Sequence, residues 1–182
     1  KRGMNRAGYT LPSSPWFPEY LDVLREYMNK PDWEPLRVAK DGCGFPTTSN
    51  TVDELAVMFA NLAKNRNEDW IWEAMNRHPD LIGGFNRLDS TCIKAGEGKI
   101  IAKEGADGLL GLSVEHPDWP NGLGVVIKIA HGWNSQAPGM SPVRYWVFWG
   151  YNFETRIPYI DRKHSLYPGL FLTNIERLLR KL

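Results

Sequence analysis

The sequence predicts an α+β domain, with helices first, an antiparallel sheet after them and a helix at the end. Three observations carry this. Apolar residues recur at helical spacing through the first half, as in Val52, Leu55, Phe59 and Leu62. From Lys99 onward the period drops to two, with Leu110, Leu112 and Val114 alternating against Leu109, Gly111 and Ser113. The links between these alternating runs are short, which favours antiparallel neighbours over crossover connections.

Taken in order, residues 1–16 mix Gly, Pro and Ser, as in Gly8 to Pro15, and read as a loop. Phe17, Leu21, Leu24 and Met28 then mark a helix that tolerates Pro18 in its first turn and that Pro31 should end. The segment Asp41-Gly42-Cys43-Gly44-Phe45-Pro46 is too glycine-punctuated for regular helix. Thr51-Val52-Asp53-Glu54 is a capping box opening the clearest helix. Asn67 is the expected cap of the next one, which carries Trp70, Ile71, Ala74 and Met75 and stops at Pro79. Gly83-Gly84 is a break. Strands are expected over 99–103, 109–114 and 125–130, with 105–108 and 115–122 as connectors. Tyr145–Trp149 is a bulky run, buried as helix or strand. Phe171, Ile175, Leu178, Leu179 and Leu182 form a terminal helical stripe, with Arg177, Arg180 and Lys181 near its negative end.

Composition bounds the function classes. At 182 residues the chain is one domain, 1–182, able to bury a core without staples. Hydrophobic residues at 42% and charged residues at 24% exclude a disordered chain. Lys+Arg 22 against Asp+Glu 21 leaves no basic excess for nucleic acid or an anionic membrane surface. No apolar run reaches the roughly 18 residues of a membrane span. Two cysteines, Cys43 and Cys92, are too few for a disulfide framework, so a reducing, cytoplasmic compartment is expected.

The short motifs are more specific. Asp41-Gly42-Cys43-Gly44-x-Pro46-Thr47, His78-Pro79, Gly83-Gly84, Arg87-x-Asp89-Ser90, Ile101 to Gly108 and Gly124 to Ile129 follow one another in order. Together they resemble the second half of the type II L-asparaginases, the rhizobial-type family, from about residue 8 to about residue 135. The resemblance implies the C-terminal portion of a fold like that of serine β-lactamases and penicillin-binding proteins. It also implies hydrolysis of the side-chain amide of asparagine or a derived amide, a small-molecule substrate. In such a site a serine attacks the amide, a nearby lysine takes its proton, and backbone N–H groups face the oxyanion.

Carried onto this sequence, Lys103 matches the lysine that faces the nucleophile. Gly105 allows close approach of substrate and the Ala106 N–H is an oxyanion donor. Asp41 matches the acidic residue beside the site, and Arg87 and Asp89 match an Arg-x-Asp run that clamps a substrate carboxylate or forms a turn ion pair. The family's zinc, held by a Cys-Ser-Gly-Lys segment and the cysteine of Asp-Gly-Cys-Gly, implies Cys43 as a metal ligand. Lys1 would be the end of the other segment, with one residue missing. Each residue also has a plainer reading: Lys103 as a solvated strand end, Cys43 as a buried structural thiol.

The sequence departs from the family in three ways. No serine has lysine three residues on. The family's Asp-Gly pair after the last strand gives way to His131-Gly132-Trp133, with His131 an alternative acid or base and Trp133 a substrate contact. After Gly139 the likeness fades into an aromatic run, which walls a pocket or fills a core. The chain opens on Lys1-Arg2-Gly3-Met4, a mid-chain segment in the family. The expectation is therefore a split enzyme, with a second chain carrying the N-terminal half and the nucleophile, or an assembly of copies of this chain. Two alternatives stay open: a biosynthetic enzyme that reuses the cleft for a bulky apolar substrate, and a non-catalytic partner subunit.

Overall fold

The computed structural model describes residues 8–85, 87–129, 143–151 and 165–166. Helix α1 (Trp16–Met28) leads into a small hairpin, β1 (Val38–Lys40) and β2 (Pro46–Thr48). Helices α2 (Val52–Lys64) and α3 (Trp70–Arg77), a 3-10 turn at Pro79–Leu81 and helix α4 (Leu88–Ala95) follow. The larger sheet is β3 (Ile100–Gly105), β4 (Leu109–His116), β5 (Trp119–Ile129), β6 (Val143–Tyr151) and β7 (Ser165–Leu166). Its strands lie side by side in chain order and every pair is antiparallel. The chain is thus α+β with helices on an antiparallel sheet. The expected helix over 171–182 lies outside the described residues, and no helix among the described ones is long and apolar enough to cross a membrane.

Local chemistry sets the helix ends. The capping box is present: the Thr51 hydroxyl accepts from the Glu54 N–H at 3.4 Å, and Glu54 Oε2 accepts from the Thr51 N–H at 3.0 Å. Glu54 is buried and also accepts from Lys30 Nζ at 2.9 Å and Trp33 Nε1 at 3.0 Å, which ties the segment after α1 to α2. Burial works to raise its pKa, but the Thr51 N–H and Lys30 together hold the carboxyl below its usual range. Helix α1 ends before Pro31 is reached, because Asn29 turns left-handed (φ 55°) and its N–H caps the Glu26 carbonyl. The cap of α3 is Asp69 rather than Asn67. Asp69 Oδ1 accepts the Ile71 N–H at 2.9 Å while Oδ2 accepts the Tyr27 hydroxyl from α1, and this tertiary contact selects the acidic residue.

The sheet has two packed faces. Ile100, Ala102, Leu110, Leu112, Val114, Leu123, Val125 and Ile127 share one face, with Cys92 and Ile93 of α4 against them. On the other, α2 lies close enough that Gly124 approaches the helix backbone at Ala56 and Ala60. The expected connector over 115–122 is instead paired strand: His116 stands opposite Trp119, and Pro117-Asp118 make the turn. At its other edge β5 pairs with β6, with Val125 opposite Trp149.

Ser113 sits on β4 between Ile101 and Gly124, fully buried, and its hydroxyl has no hydrogen-bond partner among the described residues. An unpaired buried hydroxyl destabilises the folded state. Ser113→Ala is therefore expected to raise stability by about 1 kcal/mol. A higher urea midpoint checks this, and a lower one contradicts it.

Candidate active site

The densest polar constellation gathers where the end of β3 meets the start of α4. Asp89, in the first turn of α4, has 0% exposure. Its Oδ1 accepts from the Ser90 N–H at 2.8 Å. Its Oδ2 accepts from the Glu104 N–H at 3.1 Å and from Lys103 Nζ at 3.3 Å. Burial pushes this carboxyl's pKa up, and the N–H groups of Glu104 and Ser90 with the Lys103 ammonium outweigh it, leaving the pKa below the usual carboxylate value. The helix N-terminus adds to the same preference for negative charge. The space is made by Gly83, where any side chain would begin 1.9 Å from Asp89 Oδ1. Ser90 donates its hydroxyl proton to the Pro79 carbonyl at 2.9 Å, which fastens the 3-10 turn to the same hub.

Lys103 stands opposite Gly111 on β4. Its Nζ also donates to the Glu104 carbonyl at 2.8 Å, and its side chain keeps 53% exposure. The neighbouring pair is Arg87 Nε with Glu104 Oε2 at 3.0 Å. Arg87 and Asp89 do not form the turn ion pair considered from the sequence: each pairs across to β3 instead. Cys92 lies one helical turn beyond Asp89, and burial, then the charges of Asp89 and Glu104, push its thiol up to about 11. At neutral pH it is a thiol and a poor nucleophile. Gly105 closes β3 and Ala106 opens the turn after it, and both are exposed.

Asp41 and Cys43 form a second site of their own. Asp41 Oδ1 accepts from the Cys43 N–H at 2.8 Å and the Phe45 N–H at 2.9 Å, shaping the turn between β1 and β2, with Gly44 left-handed at φ 81°. Phe45 stacks on Trp16 of α1 at 4.5 Å between ring centroids and has Tyr9 at 6.2 Å. The turn is therefore seated on an aromatic cluster at the start of α1. Cys43 is exposed, not the buried structural thiol of the plainer reading.

The structure thus brings Lys103, Asp89 and Arg87 together with Gly105 and Ala106 at the strand end, and keeps Asp41 with Cys43. No hydrogen bond, ion pair or ring contact found among the described residues joins the two groups. Lys1, His131 and Trp133 lie outside the described residues. An open hollow of about 490 Å³ on α1, lined by Asp22, Arg25, Glu26, Asn29 and Pro31, contains none of the expected site residues.

Zinc is not accommodated by the described residues. They hold no group of three or more His, Cys, Asp and Glu able to bind a metal. Cys43 and Asp41 are two donors where a structural zinc takes four, and one Asp41 oxygen already serves the turn. No step below passes through a metal.

Two residues of this constellation carry little signal in the sequence. Glu104 lies inside a motif that says nothing of its pairing with Arg87. Gly83 has the look of a chain break, although its bare Cα is what admits the Asp89 carboxylate. A glycine six residues before the aspartate is the available signal.

A family model described as L-asparaginase II matches residues 1–141. No curated protein matches the chain.

Proposed function

Because the chain belongs to the L-asparaginase II family, we propose that it is part of an asparaginase-like amidohydrolase in which the end of β3 forms one wall of the site. One observation carries this reading: an exposed Lys103 ammonium is fixed by a carboxylate with no exposure, at the head of the segment Lys103-Glu104-Gly105-Ala106. A strand end holding a cation in place, followed by a glycine without a side chain and the exposed residue Ala106, offers the elements that an amide's developing oxyanion needs on one side.

The substrate is the side-chain amide of asparagine or a derived amide, and a Ser/Lys pair performs the attack within a β-lactamase-like arrangement. The serine hydroxyl gives its proton to an amine as its oxygen bonds to the amide carbon, and the leaving nitrogen is protonated and departs as ammonia. Water then releases the acyl group. No serine among the 182 residues has lysine three positions on, so the Ser-x-x-Lys motif is contributed by residues beyond these, on a second chain or another part of the same protein. On this wall, Lys103 supplies positive charge, Ala106 an N–H, and Arg87 a further cation toward a substrate carboxylate.

The test is ammonia release from asparagine by the native assembly, purified without denaturation together with any chain it carries. Lys103→Ala in that assembly is expected to lower the rate on the order of 10²-fold. No ammonia from the parent assembly, with asparagine or glutamine, overturns the reading.

A further inference from the structure

Resting on that reading, the geometry points to Asp89 as a positioning residue that makes Lys103 a standing cation of the site, a partner for a negatively charged group on the substrate rather than the amine that takes the nucleophile's proton. Three facts lead there. Asp89 is sealed from solvent while Lys103 is half open, so the pair has one face held by protein and one face available. The carboxylate is itself held by the backbone N–H groups of Ser90 and Glu104, so it cannot swing away and release the lysine. The neighbouring contacts are fixed as well: the Glu104 carboxylate is engaged by Arg87, and Lys103 Nζ additionally donates to the Glu104 carbonyl.

An amine that takes a proton must turn freely toward the hydroxyl, whereas Lys103 Nζ is already held by the Asp89 carboxylate and the Glu104 carbonyl. The same pairing suits a fixed positive charge, which needs no proton movement and costs no reorganisation when a carboxylate arrives. In the substrate proposed above, the carboxylate beside the amide is the group that Lys103 and the neighbouring Arg87 attract.

Two measurements on the folded protein decide the matter. The first uses an amine-selective acylating reagent at one fixed pH, with labelling of each lysine followed by peptide mass spectrometry. Asp89→Asn keeps the shape beside Gly83 and removes the charge, and by releasing the amine from its carboxylate is expected to speed labelling of Lys103 roughly threefold or more while Lys64 is unchanged. Should that variant not fold, the parent protein serves: Lys103 is expected to label more slowly than Lys64 despite its exposure. Equal labelling in either comparison overturns the pairing, and this readout does not depend on turnover. The second is Lys103→Arg in the native assembly. Arginine keeps the charge and cannot serve as a base, so ammonia release within about tenfold of the parent, with the change in KM rather than kcat, supports a standing cation. Loss as complete as in Lys103→Ala overturns it. Absence of ammonia from the parent refutes the amidohydrolase reading, and the labelling result still decides the role of Asp89.

Discussion

Gly124→Ala is expected to loosen helix α2 from the sheet and lower stability by about 3 kcal/mol or more. A methyl group at this position would begin 1.9 Å from the Ala56 carbonyl oxygen and 2.5 Å from the Ala60 nitrogen. Both are backbone atoms of α2, so no side-chain rotation relieves the overlap, and the helix itself must move. It has little freedom to do so, because Ala56, Ala60 and Ala63 are fully buried. Gly111 offers a comparison on the same face. There the clash would be with the Phe59 ring, a side chain that can swing aside, so Gly111→Ala is expected to be the milder change. Thermal unfolding of the two variants checks the order: a fall of roughly 10 °C for Gly124→Ala corresponds to about 3 kcal/mol in a chain of this size. An unchanged melting temperature would mean that α2 does not pack on the strand as described.

Much of the scaffold was legible because it is encoded locally. The Thr51–Glu54 capping box needs only four neighbouring residues, and β3, β4 and β5 announce themselves by alternation. Helix α4 was not legible. Its eight residues start after Arg87, which supplies no side-chain cap, and end at Gly96, and its support comes from elsewhere: Asp89 bonded to β3, Cys92 and Ile93 in the core. The bulky run near Tyr145 left helix and strand undecided, since continuous apolar residues suit either. Pairing of β6 with β5 decides for strand. For the candidate site, the motifs located Lys103, Arg87 and Asp89, but not their partners. Lys103 and Asp89 are 14 residues apart, joined only by the way α4 returns along β3. The motif makes Asp41 the acidic residue beside the site, while its visible work is in shaping the turn that carries Cys43.

The second large effect expected is at Asp89, and it depends on pH. Asp89→Ala leaves the N–H groups of Glu104 and Ser90 without their acceptor and Lys103 without its carboxylate. Breaking a fully buried charge pair costs several kcal/mol, but Lys103 is half exposed and water solvates it, so the expected loss near neutrality is smaller, about 2 kcal/mol. The sign of the pH dependence follows from the depressed pKa of Asp89 in the folded protein. In the unfolded chain the carboxyl titrates near its ordinary value of 3.8. Above that pH it is ionised in both states and its contribution is present in full. As the pH falls below 3.8 the unfolded chain binds the proton first, so stability declines until the folded carboxyl is protonated too. The gap between the parent and Asp89→Ala should therefore be widest at about pH 6 and narrow by about pH 3, read as the difference between their urea midpoints. Glu54, also depressed, titrates in both proteins and cancels from that difference. An equal gap at both pH values would show that it is the shape of the Asp89 side chain, and not its charge, that holds the end of β3 against α4.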